Sequence, residues 1–193
     1  MIFVKSTGRV YFTPGLASQL YCYDPGKGGL PVGSNEEIGL RAATQETPQG
    51  FVYTVSKDNT MLYRFDTENE EVKQLGSAAI GSQTYVTSID ADPTGRYLYY
   101  VPGAHGGSEK DGAAVVQFDV ETEKKKVIAF LHPFLEKRYG YIPIGTFSTA
   151  IDQAGDKLYI TWNGNLGGAK RGRLTWDACA LTVIHIPESE RIP

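Results

Sequence analysis

Four segments of this chain repeat one short phrase, an aliphatic or aromatic run that follows a turn. They are VYFTPG (Val10 to Gly15), VYTVSK (Val52 to Lys57), LYYVPG (Leu98 to Gly103) and LYITWN (Leu158 to Asn163), preceded by turns at Gly8, Gly50, Gly95 and Gly155 with Asp156. A second family follows each of them: QLYCYDP (Gln19 to Pro25), MLYRFDT (Met61 to Thr67), VVQFDVE (Val115 to Glu121) and TVIHIPE (Thr182 to Glu188). A third, VTSIDADPTG (Val86 to Gly95) and STAIDQAGD (Ser148 to Asp156), precedes two of the first. A repeat of this period is a supersecondary unit that cannot bury its apolar faces alone and must stack on its neighbours. Short strand-like runs between turn residues, with almost no helical periodicity, predict an all-β chain.

Three strands of the second family end in Asp (Asp24, Asp66, Asp119) and open a polar turn, PGKGG, TENEE or VETEK. An Asp there accepts hydrogen bonds from the N–H groups that follow it, so these residues read as turn punctuation rather than metal ligands. Each unit then holds four antiparallel strands, A to D, in about 42 to 60 residues, the size of a propeller blade. Segments such as LYCYD and AVVQF are apolar on both faces, as a sheet sandwiched between two others requires.

The phrases SIDADPTGRYLY (Ser88 to Tyr99) and LYRFD (Leu62 to Asp66) resemble the bacterial β-propeller superfamily that includes YVTN-type, lactonase-type and SMP-30-type repeats. The likeness spans nearly the whole chain and implies a fold more than an activity. It divides a single propeller unit, 1–193, into blades at about 1–33, 37–77, 84–131 and 145–190, the last without its own outer strand. Three readings of the incomplete ring stay open: the C-terminal half of a larger propeller, a four-bladed unit that pairs with a copy of itself, and a closed four-bladed ring. The first two leave apolar end faces in need of cover.

The B–C connection spans 10 residues between Tyr11 and Tyr21 and between Tyr53 and Tyr63, then 17 between Tyr99 and Val116 and 25 between Tyr159 and Ile184. The link from His132 to Gly145 is long as well. Because antiparallel strands alternate direction, B–C and D–A connections share one end of a blade, so all this growth falls on one rim. Function is expected there, since loops on a rigid scaffold carry binding residues disproportionately.

The net charge of −3 supplies no concentrated positive surface, which argues against a nucleic-acid partner. No apolar run reaches the roughly 18 residues of a membrane helix, and the N-terminus MIFVKSTGRVYF enters strand-like sequence without a signal-peptide pattern. Cys22 and Cys179 have no metal or redox spacing; they read as free thiols, with a disulfide between the chain ends as the alternative.

The rim offers two sets of candidates. Arg138, Tyr139, Tyr141, Trp162, Asn163, Asn165, Arg171, Arg173 and Trp176 are the candidate ligand-binding residues: arginines for carboxylate or phosphate, tryptophans as stacking platforms, with a structural loop whose tryptophans plug the rim between blades 3 and 4 as the alternative. His105, Glu109, Asp111 and His132 are acceptable ligand types for a divalent metal, though their spacing on a Gly-rich loop is not diagnostic. His185 reads as a blade-packing residue. Facing the channel from the inner strands are Arg41, Gln83, Thr84, Tyr85, Thr87, Phe147, Ser148 and Thr149. The SMP-30-type resemblance implies a divalent metal held by Glu, Asn and Asp, but Thr87 and Thr149 stand where its Asn would be, which counts against that chemistry. No GxSxG elbow is present.

The expected function is a non-catalytic binding module, without a cofactor, that recognises a small polar ligand, a glycan or a protein through the rim of blades 3 and 4. The alternatives are a metal-dependent hydrolase or lactonase-type enzyme at the channel mouth, and a structural closing half of a larger propeller. A homodimer or a missing N-terminal half would complete the ring.

Overall fold

The computed structural model describes residues 1–15, 19–32, 38–167 and 176–191. Its strands form four antiparallel sheets in which spatial order follows chain order. Sheet 1 holds β1 (Ile2–Val4), β2 (Arg9–Phe12), β3 (Tyr21–Asp24) and β4 (Gly28–Pro31). Sheet 2 holds β5 (Leu40–Ala43), β6 (Phe51–Ser56), β7 (Met61–Asp66) and β8 (Val72–Ser77). Sheet 3 holds β9 (Ile89–Ala91), β10 (Tyr97–Tyr100), β11 (Ala114–Asp119) and β12 (Lys124–Phe130). Sheet 4 has β13 (Tyr141–Ile151), β14 (Lys157–Leu166) and β15 (Ala178–His185), and no fourth strand among the described residues.

The second strand of every sheet carries an aliphatic residue followed by Tyr, and strand alternation sends the two side chains to opposite faces. Val52, Leu98 and Leu158 are fully buried against the preceding sheet. Tyr11, Tyr53 and Tyr99 are buried against the following one. One core joins Ile2, Val4, Tyr11 and Cys22 to Val52 and Phe65. The next joins Tyr53, Val55 and Leu62 to Leu98, Tyr100, Val116 and Phe118, and the third joins Tyr99 and Val115 to Leu158, Ile160 and Trp162. At about 1.5–3 kcal/mol for each large apolar side chain removed from water, these junctions hold the sheets together. None of the three cores joins sheet 4 to sheet 1.

Turn carboxylates punctuate the hairpins as their position predicts. Asp66 Oδ1 accepts from the N–H of Glu68 and Asn69, and Asp119 Oδ1 from that of Glu121. The Gly26 N–H holds the Asp24 carboxyl below its usual range, against partial desolvation and with help from Arg9. Cys22 is buried, Cys179 is exposed, and both are free thiols.

The link after sheet 3, which read from sequence only as long, is partly helical. It contains helix α1 (His132–Tyr139), which begins with Pro133 in its first turn and ends at Gly140 in the left-handed region, φ 65°. Only Leu135 of this helix is buried, an apolar pattern too short to show a helical period. Strand β13 then starts at Tyr141 and pairs with Leu166 of β14, so strand takes up part of what read as loop in the fourth unit.

Candidate functional site

The connections 101–113 (β10 to β11) and 131–140 (β12 to β13) emerge at the same end of the sheets, where β14 ends at Leu166 and β15 begins at Ala178. The first is tied down by its backbone: Gly103 and Ala104 N–H both donate to Tyr85 O, at 2.8 and 3.3 Å. Ser108, in a 3-10 turn (Ser108–Asp111), is buried and its hydroxyl donates to the carbonyls of Pro102 and Gly103. Gly145 of β13 lies so close that a Cβ there would stand 2.3 Å from Ala104 O. The loop thus rests directly on the inner strand of the next sheet.

That contact brings together residues from three sheets and their connections. The His105 ring packs on Tyr85 with centroids 4.5 Å apart, and lies 6.3 Å from Phe147. Phe147 lies 6.0 Å from Trp176. Trp176 also covers Gly106, where a Cβ would approach its ring to 3.1 Å. At the other end of the strip the Arg41 guanidinium sits 5.0 Å over the Tyr85 ring, and its Nε–H donates to the Tyr85 hydroxyl at 2.5 Å. Phe147 is 43% exposed and Trp176 46%, so the two adjacent rings together offer apolar surface to solvent. Successive rings are tilted by 36°, 72° and 56°, so the strip is a curved wall and not a flat platform.

The candidates named from sequence fall in different places. Trp176 belongs to the strip, joined there by His105 and by Arg41, Tyr85 and Phe147, which were expected to face the channel. Trp162 does not: it is 2% exposed, part of the core between sheets 3 and 4, and its Nε1–H donates to Thr182 Oγ1 at 2.9 Å. It shares strand parity with Leu158 and Ile160, which is why it points inward. Tyr141 is buried too. Its hydroxyl donates to Ala178 O, and burial, with Cys179 and Asp177 nearby, pushes its pKa up to about 12. Asn165 is fully buried in β14, and Asn163 Oδ1 accepts from the Cys179 thiol at 3.2 Å. Arg138 and Tyr139 are exposed on α1, where the guanidinium lies over both Phe134 and Tyr139 as a separate aromatic knob. Arg171 and Arg173 lie outside the described residues.

The four metal candidates are drawn into other contacts. Asp111 Oδ2 accepts from Ser82 N, Ser82 Oγ and Gln83 Nε2, and these donors hold its carboxyl below the usual range. His132 Nδ1 meets Glu109 O at 3.0 Å, while its Nε2 lies 3.1 Å from Glu136 Oε2. The Glu109 carboxylate has one oxygen buried without a hydrogen-bond partner, and His105 is in the aromatic strip. Among the described residues no group of three or more His, Cys, Asp or Glu side chains could hold a metal. His185 is exposed on the outer face of sheet 4.

Two wide recesses, of 1220 and 670 Å³, open at the opposite end. Glu46 lines both, and its carboxylate already accepts from Ser6 N, Ser6 Oγ and Thr67 Oγ1. The smaller one also contains Asp90, whose Oδ2 accepts from Thr149 across the junction of sheets 3 and 4. The signal that sequence reasoning missed was His105 as a ring-packing residue, since its contacts depend on the loop conformation.

No protein-family model matches the sequence, and no curated sequence is similar to it. The fold is similar to that of solved β-propeller-containing proteins. A chain of the nidogen/laminin complex matches with a TM-score of 0.57 at 9% identity, covering 92% of this chain and 57% of that one. The tricorn protease matches at 0.54 and 16% identity over 94% of this chain and 18% of its own. Hydrazine synthase from Kuenenia stuttgartiensis matches at 0.50 and 15% over 87% and 44%. At these identities the likeness shows the fold: the chain is an all-β array of propeller blades, and it spans 57% or less of each of these solved chains.

Proposed function

We propose that this chain is a non-catalytic recognition module that binds a protein partner through the strip Arg41–Tyr85–His105–Phe147–Trp176 at the mouth of the array. The observation that carries this reading is the continuity of the strip, an exposed aromatic wall beside an arginine, formed where the 101–113 loop, held on Tyr85 by backbone hydrogen bonds, meets β5 and β13. Aromatic residues and Arg dominate protein-interface hot spots. A small molecule is better served by an enclosed pocket, and a glycan by a flat ring face; the tilted, open wall suits neither as well. The nidogen chain, similar in fold, was solved in complex with laminin, which agrees with a protein partner at the level of architecture alone.

The test is a selection from a phage-displayed random-peptide library on immobilised wild-type chain, followed by binding measurements on the Phe147→Ser/Trp176→Ser variant. Truncating hot-spot side chains costs about 2 kcal/mol or more, so selected peptides should bind the variant about thirty-fold less tightly. Peptides that bind both proteins equally, or a library that yields no wild-type binder, would refute the assignment.

A further inference from the structure

The repeated aliphatic–Tyr pair gives every sheet two unlike faces. At each of the three internal junctions the tyrosine face of one sheet meets the aliphatic face of the next. Both end sheets break the rule. In sheet 4 the equivalent tyrosine, Tyr159, is half-buried where Tyr11, Tyr53 and Tyr99 are buried. In sheet 1 the equivalent aliphatic, Val10, is half-buried where Val52, Leu98 and Leu158 are fully so.

Each bare face carries further apolar residues, which on sheet 4 share it with Lys157, Thr161, Asn163 and His185. On sheet 1, Phe3, Val10 and Tyr23 stand opposite one another across three strands, and Phe12 and Tyr21, their ring centroids 6.1 Å apart, lie on the same face. On sheet 4, Tyr159 is paired with Val183 and Thr161 with Leu181. Phe3 is 53% exposed and Leu181 60%, and Tyr23 and Val183 are exposed to a similar degree. Surface of this kind marks an interaction site.

We propose that the two bare faces are the two halves of one further junction, completed by a second copy of this chain. Sheet 4 of each protomer packs its Tyr159–Leu181–Val183 face on the Phe3–Val10–Tyr23 face of sheet 1 of its partner. One chain carries both halves, so two copies related by a two-fold axis along the ring satisfy both junctions and close the assembly. Sheet 4 has three described strands and the strands of sheet 1 run three or four residues, so the shared face is about 14 Å wide and about 14 Å along the strands. Both sides of two junctions amount to about 800 Å² in projection, and the relief of the side chains brings the accessible area removed to on the order of 1,000 Å², the size at which a specific interface begins. This proposal does not depend on the aromatic strip, and its readout is mass rather than ligand affinity.

Light scattering coupled to size exclusion on the 193-residue chain should give about twice the 21.1 kDa of one copy. Leu181→Glu and Tyr23→Glu, both at exposed positions, should each yield folded monomer with an unchanged circular dichroism spectrum. Cys179 is exposed and lies on the same sheet 4 face, opposite Asn163, so its alkylation should be at least tenfold slower in wild type than in Leu181→Glu. A wild-type monomer at tens of micromolar, or open-ended oligomers without a discrete dimer, would overturn the closed pair. So would equal Cys179 reactivity in the two proteins. Cover of these faces by further blades of a longer chain is the reading that a wild-type monomer would favour.

Discussion

Gly145→Ala is the most direct test of how the aromatic strip is held. The new methyl group would stand 2.3 Å from Ala104 O, 3.1 Å from Ala104 C and 3.2 Å from Gly106 N. Ordinary contact begins at about 3.4 Å, so the 101–113 loop and β13 must separate by about 1 Å. The loop resists, because Gly103 and Ala104 N–H are both fixed on Tyr85 O. Overpacking of this kind costs about 1–3 kcal/mol. Gly145 has no positive φ, so the cost is steric and not conformational. The same displacement lifts His105 from Tyr85 and Gly106 from Trp176. Urea denaturation should therefore show a loss in that range, together with a shift in the fluorescence of Trp176, the exposed one of the two tryptophans. Gly29→Ala is the control: nothing lies within 4 Å of its Cβ position, and its stability should stay within about 0.5 kcal/mol of wild type. A Gly145→Ala protein as stable as Gly29→Ala, with unaltered emission, would refute the close-approach argument.

The two tryptophans should behave oppositely in urea. Trp162→Ala empties a core site and loses a hydrogen bond, at about 3–5 kcal/mol, whereas Trp176→Ala should change stability by less than about 1 kcal/mol. Asp90 gives a pH dependence: burial raises its carboxyl above the ordinary value, against the hydrogen bond from Thr149. The folded state then keeps a proton that the unfolded chain releases, so ionisation costs stability as pH rises above the unfolded value of 3.8. Asp90→Asn should accordingly raise the melting temperature at pH 7, and the gain should shrink as pH falls toward 3.8; a gain independent of pH would contradict the assignment.

Much of the architecture was legible because it is written in local chemistry. The Gly turns, the Asp-led hairpins and the runs apolar on both faces each specify a strand or its end without reference to distant residues. Helix α1 was not legible, since a short helix with Leu135 alone buried leaves no periodic trace. Trp162 as a ligand-binding residue departs from the structure for a different reason, and the alternative reading of it as a plug between blades 3 and 4 is the one that agrees with its burial. Its neighbourhood, WNGN, reads as a polar loop, yet the strand continues through it, and the parity set by Leu158 and Ile160 already pointed the ring inward. The strip itself lay beyond sequence reading. Arg41, Tyr85 and Phe147 could be assigned to the channel side, but their meeting with His105 and Trp176 depends on how a Gly-rich loop settles on Gly145.

The unlike faces of the sheets make the array directional. The same two kinds of face meet at each of the three internal junctions, so a unit duplicated in the gene would meet its neighbours through contact chemistry the array already uses. Size in such an architecture is inherited through copy number, which leaves the loops at the rim free to diverge.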